Sequence, residues 1–302
     1  MKILATSDIH GNKALIYLIL KIIRDENIDA IIIAGDITPK GFYQFNKSEL
    51  KYEIDSIFRL KNKEYLLDGN EWQIKTRLDL LGFIETPKDS YNLPTIISKQ
   101  MEQLKQICIL LKTASIPVFM LIGNDDHIPD REWDVILEYH KIGNLNLRVH
   151  NLEELKLIGF QYVLPTPWNT NNELTEKELD RKLTCIEGAV DRNTILVTHS
   201  PPKNILDKLA NGQSAGSRSI YNLVINRQPI FHIFGHIHEA FGSIMVDKRF
   251  CCNVSCLWDS WVLRGYILDT NRRVVEEIKK DLLINDLENI CKNFFEHELS
   301  GW

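Results

Sequence analysis

Five short apolar segments, each followed by polar residues, recur along the chain and constrain its fold more than any other feature. They cover residues 3–5, 30–34, 117–122, 194–198 and 229–234. Continuous apolar runs of this length are typical of strands that are buried on both faces, as the strands of parallel sheets are. A stretch with helical periodicity, residues 13–27, separates the first two runs and predicts a β–α–β unit. The pattern therefore indicates an α/β protein.

The other predicted elements complete a single domain over residues 1–302. Apolar residues between positions 50 and 58 have the spacing of one helix face, so residues 41–93 are expected to form a helical insertion. Short alternating runs over residues 242–278 predict antiparallel strands that form a second sheet. An amphipathic pattern predicts a C-terminal helix at about residues 281–299.

Composition and charge exclude several classes of protein. Hydrophobic residues make up 44% of the chain and charged residues 25%, a globular mixture that excludes disordered and collagen-like chains. With a net charge of −5, the chain lacks the broad positive surface of proteins that coat nucleic acids. A nucleic-acid partner is therefore not favoured and would need a local basic groove. The six cysteines show no C-x-x-C spacing, so we expect reduced thiols rather than a zinc ribbon or a disulfide framework.

Neither a membrane span nor an export signal is expected. The longest apolar run, near residues 14–20, ends at Lys21, well short of the ~20 residues that a bilayer requires. Near the N-terminus, Asp8 interrupts the chain before an apolar export core can form. We therefore expect a cytoplasmic protein with no membrane partner, whose oligomeric state stays open.

Polar residues of the kinds that bind metals follow each of the five predicted strands. In open α/β sheets, the carboxyl ends of the strands form the edge at which ligands bind. The candidate ligands at that edge are Asp8, His10, Asp36, Asn124, His199, His236 and His238. This set combines oxygen and nitrogen donors without sulfur, and two divalent metal ions can share it if one carboxylate bridges them.

The spacing within these clusters supports a shared site. Residues i and i+2 of an extended segment point the same way, so Asp8 and His10 can present two side chains to one place. The same holds for His236 and His238. Gly235 stands just before a candidate ligand, where a tight turn off a strand needs a residue without a Cβ.

The order of the motifs resembles that of the calcineurin-like metallophosphoesterase superfamily. Its signature of D-x-H, G-D, G-N-x-(D/E), H and G-H-x-H is matched by SDIHGN, GDI, GNDD, THSPP and GHIH, with Asp8 and His238 as the outermost matched ligands. The segments PTPWN at residues 165–169 and AGSRSI at residues 215–220 are similar to those of stand-alone bacterial and archaeal phosphoesterases. The resemblance implies two packed β-sheets flanked by helices, an α/β/β/α sandwich, with a binuclear metal centre.

The resemblance also implies how the ligands divide between two ions. Asp8, His10, Asp36 and His238 would hold the first, and Asp36, Asn124, His199 and His236 the second, with Asp36 bridging. A bridging carboxylate keeps two ions roughly 3.5–4 Å apart, and a hydroxide between them is the expected nucleophile. Asp36, Asn124 and His199 are thus expected catalytic residues, and Asn124 also orients the phosphate. Manganese, iron or zinc suits imidazole and carboxylate ligands better than magnesium does.

Asp125 departs from the superfamily pattern. Many relatives carry a histidine in the third place of G-N-x-(D/E), where it protonates the leaving oxygen; here that catalytic position holds Asp125. An ionised carboxylate cannot donate that proton, although His127 lies close enough along the chain to compensate. Gly216 and Ser217 open a predicted helix, so they either cap that helix or bind the substrate by aiming its N-terminus at the phosphate.

The function that these expectations favour is that of a phosphoesterase with two metal ions, acting on a phosphodiester or a small phosphorylated molecule. A phosphodiesterase is preferred because a substrate with a good leaving group needs no general acid. A phosphomonoesterase or protein phosphatase, and a nuclease, would use the same metals and stay open as alternatives. A metal-free scaffold is less favoured, because clustered ligand side chains repel one another without metal.

Overall fold

The computed structural model describes residues 1–46, 51–54, 71–85, 92–257 and 262–281, which contain fifteen strands and six α-helices. The strands are β1 (Lys2–Thr6), β2 (Ala30–Ile33), β3 (Phe42–Asn46), β4 (Lys51–Ile54), β5 (Ile84–Glu85), β6 (Val118–Met120), β7 (Gly143–Asn144), β8 (Val149–Leu152), β9 (Leu155–Phe160), β10 (Thr194–Thr198), β11 (Phe231–Phe234), β12 (Gly242–Val246), β13 (Arg249–Asn253), β14 (Val262–Asp269) and β15 (Val274–Asp281). The helices are α1 (Lys13–Glu26), α2 (Glu71–Leu80), α3 (Leu93–Lys112), α4 (Asp130–Tyr139), α5 (Glu176–Glu187) and α6 (Arg218–Arg227).

Two six-stranded sheets contain the strands that the apolar runs predict. The first has the order β15–β14–β1–β2–β6–β7, and the second the order β12–β13–β11–β10–β9–β8. In the first sheet β1, β2 and β6 run parallel, with Leu4 paired to Ile31 and Ile33 to Met120. In the second, β10 runs parallel to both β9 and β11. All five predicted strands are confirmed, and they are divided between the two sheets.

The alternation of side chains along each strand gives each sheet two apolar faces. Ala5 and Ile195 belong to the core that lies between the sheets. The neighbouring residue Leu4 packs on the opposite side of the first sheet with residues of α1, α3 and α4. In the second sheet, Leu196 packs with residues of α5 and α6. The molecule is therefore the α/β/β/α sandwich that the resemblance implies.

The strands after residue 242 correct the prediction of a separate antiparallel sheet. β12 and β13 extend the second sheet, in which β13 runs parallel to β11. β14 and β15 join the first sheet instead, where β14 pairs antiparallel with β1 through Leu4 and Ile267. An alternating apolar pattern predicts a strand but not its partner, because the hydrophobic effect that buries it has no direction.

The prediction that residues 41–93 form a helical insertion is wrong in part. The described residues of this segment contain a small three-stranded sheet, formed by β3, β4 and β5, as well as the helix α2. Ile54 belongs to the apolar positions with helical spacing, yet residues 51–54 form a strand, which their aromatic and β-branched residues favour. Residues 47–50, 55–70 and 86–91 lie outside the described residues.

Thr175 caps the start of α5, where its side chain and that of Glu178 form a capping box. Asp281 ends β15 rather than beginning a helix, and the rest of the predicted helix at 281–299 lies outside the described residues. Within the described ranges, no helix has both the length and the apolar character needed to cross a bilayer. That residues 1–302 form one domain stays a prediction.

Candidate metal centre

The carboxyl ends of β1, β2, β6, β10 and β11 meet, and the polar residues that follow these strands form a buried cluster. Their ligand atoms fall into three sets, within each of which all atoms lie within 4.8 Å of one another. The sets are Asp8, His10 and His238; Asp36, His199 and His236; and His10, Asp36 and Asp125. The structure therefore brings together the carboxylates and histidines that the sequence predicts as metal ligands.

Asp8 is the carboxylate of the first set. Its Oδ1 lies 3.3 Å from Nε2 of His238, and the ring centroids of His10 and His238 are 5.6 Å apart. The carboxylate is buried and accepts hydrogen bonds from the backbone N–H of His236, at 3.1 Å, and from the hydroxyl of Ser7. These two bonds fix the carboxylate in place beside the imidazole groups.

His199 is the central residue of the second set. Its Nδ1 lies 2.8 Å from the carbonyl oxygen of Ala34, at the end of β2 in the opposite sheet. Its Nε2 lies 3.4 Å from Oδ2 of Asp36 and 3.0 Å from Oδ1 of Asn124. Asn124 thus joins the cluster through its amide oxygen. The ring of His236 is 5.2 Å from that of His199, centroid to centroid.

Asp36 belongs to two of the three sets. Its Oδ2 lies 3.8 Å from Nε2 of His10 and 3.4 Å from Nε2 of His199. Its Oδ1 accepts a hydrogen bond from the backbone N–H of Asp125 at 2.8 Å. A carboxylate held between imidazole groups of two ligand sets has the placement that a bridging ligand requires.

The electrostatic environment of the second set stabilises a positive charge. Burial opposes protonation of His199, yet the carboxylates of Asp36 and Asp8 outweigh it and raise the pKa of His199 to about 10. The group of atoms around Nε2 therefore stabilises a cation, which can be a proton or a metal ion.

The backbone of the cluster is unusual, because four of its residues have a left-handed conformation. Asp8, His10, Asp36 and His236 have φ angles of 56°, 43°, 51° and 71°. Such angles cost a non-glycine residue about 1–3 kcal/mol, and they persist where neighbouring structure enforces them. Here the N–H of Asp8 bonds the carbonyl of Gly35 at 3.0 Å, and the N–H of His10 bonds that of Asp36 at 2.9 Å. These bonds hold the first two ligand loops against each other.

Two glycines allow the ligand loops to approach closely. A Cβ at Gly123 would overlap the carboxylate of Asp36. A Cβ at Gly235 would overlap Ser7 and the carboxylate of Asp8, which confirms that this position needs a residue without a side chain.

Groups distant in sequence hold the histidine loop after β11. Asn253, at the end of β13, donates from Nδ2 to the carbonyl of Ile237 at 2.9 Å. Arg264 on β14 donates to the carbonyl of His238 at 3.0 Å. Sequence reasoning missed Arg264, because no local motif relates it to a loop that lies 26 positions earlier.

The segment that contains the PTPWN motif, residues 165–169, lies beside the loop that follows β6. The hydroxyl of Thr170 accepts a hydrogen bond from Nδ2 of Asn124 at 2.9 Å, and the N–H of Asn171 donates to the carbonyl of Asn124 at 3.0 Å. These bonds orient the amide oxygen of Asn124 toward His199. Trp168 is 76% exposed on this segment.

Asp125 is an ionised carboxylate. Its Oδ2 lies 3.2 Å from Nζ of Lys40 and 4.0 Å from Nδ1 of His10. Burial favours the neutral form, but Lys40 and His10 outweigh it and hold the pKa of Asp125 well below its ordinary value. The side chain therefore accepts hydrogen bonds at neutral pH and does not donate a proton.

The contacts of Gly216 and Ser217 match the helix-capping alternative that the sequence leaves open. Ser217 caps α6, and its hydroxyl donates to the carboxylate of Glu176 at 2.7 Å. The same carboxylate accepts the N–H of Ser219 at 2.8 Å, and the N–H of Gly216 bonds Asp207 at 3.0 Å. Because the N-terminus of α6 already holds a carboxylate, it does not present free N–H groups to a phosphate.

The sandwich fold and the buried ligand cluster at its strand ends are the features that the motif resemblance implies. The sequence profile of the calcineurin-like phosphoesterases matches residues 1–240. The chain therefore belongs to the calcineurin-like phosphoesterase family, as its motifs predict.

Curated relatives match over shorter stretches. An uncharacterized protein of Methanocaldococcus jannaschii is 32% identical over 102 residues, which are 32% of this chain and 46% of that protein. A UPF0046 protein of Caenorhabditis elegans is 40% identical over 95 residues, 29% of this chain and 23% of its own. Metallophosphoesterase domain-containing protein 1 of Homo sapiens is 46% identical over 55 residues, 18% of this chain and 17% of its own. The matched part spans less than half the length of each of these relatives.

Solved structures share the fold at low sequence identity. One crystal structure aligns with 92% of this chain and 98% of its own, with a TM-score of 0.62 and 14% identity. The crystal structure of TT1561 of Thermus thermophilus covers 92% of this chain and 97% of its own, with a TM-score of 0.58 and 15% identity. At such identities the likeness shows the fold alone.

Proposed function

We propose that this protein is a phosphodiesterase whose active site holds two divalent metal ions. The observation that carries the proposal is the position of Asp36, whose Oδ2 lies 3.8 Å from Nε2 of His10 and 3.4 Å from Nε2 of His199. One carboxylate thus lies between the imidazole groups of His10 and His199. Membership of the family supports the hydrolysis of phosphoric esters, and the shared carboxylate supports two ions.

The donor atoms of the cluster fit metal ions. The carbonyl of Ala34 can only accept, so the Nδ1–H of His199 donates to it, and the lone pair of Nε2 in a neutral ring turns to Asp36 and Asn124. These lone pairs repel one another unless a cation lies among them. We assign Asp8, His10, Asp36 and His238 to one ion, and Asp36, Asn124, His199 and His236 to the other. Manganese, iron or zinc suits these ligands better than magnesium.

The residues of the chain contribute by holding the site in one geometry. When bound, two divalent ions neutralise charge on a phosphate and activate water as a nucleophile. The hydroxyl of Thr170 orients Asn124, whose amide also orients the phosphate, and the backbone of Ala34 orients His199. Because these groups are fixed before the substrate arrives, little reorganisation is needed as charge develops in the transition state.

The preference for a diester rests on Asp125. Its carboxylate pairs with Lys40 and cannot protonate a departing alkoxide, so a substrate with a good leaving group is favoured. A phosphodiester carries a single negative charge, whereas a monoester carries close to two at neutral pH. Asp125 is not among the assigned metal ligands, and its charge repels a diester less than a monoester.

The test combines metal analysis with two substrates that share a leaving group. We expect elemental analysis after reconstitution to find two ions of manganese, iron or zinc per chain. The loaded protein should hydrolyse bis(p-nitrophenyl) phosphate faster than p-nitrophenyl phosphate. Faster hydrolysis of the monoester would favour the phosphomonoesterase alternative. Fewer than one ion per chain, with no activity restored by any of the three metals, would refute the metalloenzyme and favour a scaffold.

Asp36→Ala provides the matching variant. It should lose both ions together and reduce activity at least about 10³-fold, since the ions contribute several kcal/mol to the transition state. Asp191→Ala is the control, because that carboxylate is exposed and pairs with Lys156 on the strand β9. It should keep both ions and full activity.

A further inference from the structure

Lys40 places an ammonium group at the border of the ligand cluster. Its Nζ lies 3.2 Å from Oδ2 of Asp125, and that oxygen lies 4.0 Å from Nδ1 of His10. The side chain of Lys40 is 26% exposed, whereas that of His10 is fully buried. The side chain of Lys40 is therefore closer to solvent than the buried ligand that lies beside Asp125. No motif of the sequence indicated this residue.

Asp126 joins the loop that carries Lys40 to the loop after β6. Its carboxylate accepts hydrogen bonds from the backbone N–H groups of Ile37 at 3.0 Å, Thr38 at 2.7 Å and Gly123 at 2.8 Å. The side chain is fully buried. The backbone just before Lys40 is thereby fixed relative to the ligands.

Gln100 provides a second buried link between the same loops. Its Nε2 donates to the carbonyl of Pro39 at 2.8 Å and to the carbonyl of Asp125 at 2.9 Å. Its Oε1 accepts the N–H of His127 at 2.7 Å. The residue that precedes Lys40 is thus tied to the backbone of its ion-pair partner, so Lys40 extends from a rigid segment rather than from a free loop.

We propose that Lys40 is a substrate-contacting residue whose ammonium group donates a hydrogen bond to a non-bridging oxygen of the bound phosphate ester. This inference rests on the proposed function, because it needs a phosphate at the metal centre. Asp125 is the most exposed of the clustered carboxylates, at 19% against 4% for Asp36 and 0% for Asp8, and it repels an anion most directly. Lys40 compensates that charge, and an ammonium group is a strong donor to phosphate oxygens.

Compensation and contact make different predictions. If Lys40 only cancels the charge of Asp125, Lys40→Met has no effect on phosphate binding once Asp125→Asn has removed that charge. If Lys40 contacts the phosphate, the double variant binds phosphate more weakly than Asp125→Asn alone, because the hydrogen bond is still missing. A double-mutant cycle over Lys40 and Asp125 therefore separates the two roles.

The experiment measures the dissociation constant of inorganic phosphate by calorimetry on the metal-loaded protein. We expect Lys40→Met to bind phosphate about 10- to 100-fold more weakly, the usual loss for a hydrogen bond to a charged group. Lys40→Arg keeps the charge and should stay within a few-fold of the native protein. The double variant Lys40→Met with Asp125→Asn should bind phosphate about 10-fold or more weakly than Asp125→Asn alone.

Lys156→Met is the matched control. Lys156 also pairs with an aspartate, Asp191, at 2.6 Å, and its side chain is 31% exposed, but it lies on β9 near the beginning of β10, at the strand end opposite His199. It should leave phosphate binding unchanged. Elemental analysis of every variant checks that metal loading is equal.

Two results would overturn the inference: native affinity in Lys40→Met, or equal affinity in the double variant and in Asp125→Asn alone. A native protein that holds metal ions and binds phosphate, with Lys40→Met equal to it, refutes the contact and leaves the proposed function intact. A native protein that binds neither metal nor phosphate refutes both.

Discussion

Oδ1 of Asp126 accepts hydrogen bonds from both the backbone N–H and the hydroxyl of Thr38, at 2.7 and 2.6 Å. Asp126 belongs to the same GNDD motif as Asn124 and Asp125, but its bonds go to the loop after β2 and to the N–H of Gly123. The last position of the motif is therefore structural: it joins two of the loops that carry the ligands.

Asp126→Ala is expected to lower the free energy of unfolding by about 2–4 kcal/mol, because it leaves buried backbone N–H groups without an acceptor. Urea denaturation of the metal-free protein measures this loss. Asp191→Ala removes an exposed carboxylate, so its cost should stay below about 1 kcal/mol. Equal losses in the two variants would show that Asp126 is not a special structural residue.

Asp125→His should change how the rate depends on the leaving group. In the native enzyme we expect rates to rise steeply with leaving-group acidity, because the ionised Asp125 gives no proton. A positioned general acid contributes typically ~10²–10⁴-fold for poor leaving groups and little for good ones. Asp125→His should therefore increase hydrolysis of alkyl esters, if the imidazole reaches the leaving oxygen, while aryl esters change little.

A rate series over phosphodiesters with graded leaving-group pKa values measures this dependence. Asp125→Asn is the control, since it removes the charge without supplying an acid and should keep the steep dependence. A flat series for the native enzyme would mean that another residue, such as His127, is the acid.

Gly82→Ala tests whether the insertion supports the metal centre. Gly82 follows α2 with a φ of +79°, and a Cβ there would overlap the backbone of His10 and Gly11. We expect a loss of about 1–3 kcal/mol from this overlap, beyond the backbone strain. Because His10 is displaced, the affinity for the metal ion that it binds should fall about 10-fold or more.

Gly212→Ala is matched to this variant, since Gly212 has a φ of +82° and a Cβ there meets nothing within 4 Å. Gly212→Ala introduces only the strain of a left-handed backbone, so the difference in stability and metal affinity between the two variants isolates the contact with His10. Chemical denaturation and metal titration of both give the comparison. Equal metal affinity would show that the insertion does not act on the ligand.

His232 should make the metal-free protein less stable as the pH falls. It is buried on β11, and its Nε2 lies 2.9 Å from the hydroxyl of Thr198, which itself donates to the carbonyl of Ser200. Burial lowers the pKa of His232 to about 3, whereas the unfolded chain has a histidine pKa of about 6.5. Between these values only the unfolded chain binds the proton, so stability rises with pH by about 1.4 kcal/mol per unit.

His232→Gln keeps a donor for the Thr198 hydroxyl and removes this titration. Unfolding free energies from pH 4.5 to 6.5 should therefore depend less steeply on pH in the variant, by about 1.4 kcal/mol per unit. A chelator keeps both proteins metal-free, so that the ligand histidines titrate alike in each. Parallel slopes would show that His232 is protonated in the folded protein.

The ligands could be found from the sequence because each stands at the end of a continuous apolar run. A buried parallel strand delivers the residues that follow it to one edge of the sheet, so Asp8, Asp36 and His199 could be placed without knowing how the sheets pack. The start of α5 at Thr175 depends on equally local residues, since a capping box needs only residues three apart.

A partial signal existed for Gln100. It lies on the apolar face of α3, three positions after Ile97 and four before Leu104. A polar side chain on a buried helix face needs partners, so its burial was open to prediction. Its partners were not, because Pro39 and Asp125 reach it only in the folded chain.

The tertiary structure alone decided which sheet each strand joined and which polar groups met. The local pattern of β14 and β15 is the same in either sheet, and the choice rests on apolar contacts that have no direction. The sequence leaves open whether Ser217 caps its helix or binds a phosphate; in the folded chain the carboxylate of Glu176, 41 positions away, accepts the hydroxyl of Ser217 and the N–H of Ser219. Lys40 and Asp125 are 85 positions apart and meet only because buried Asp126 and Gln100 bring their loops together. Local sequence therefore determined the ligands, whereas long-range burial and hydrogen bonding determined what surrounds them.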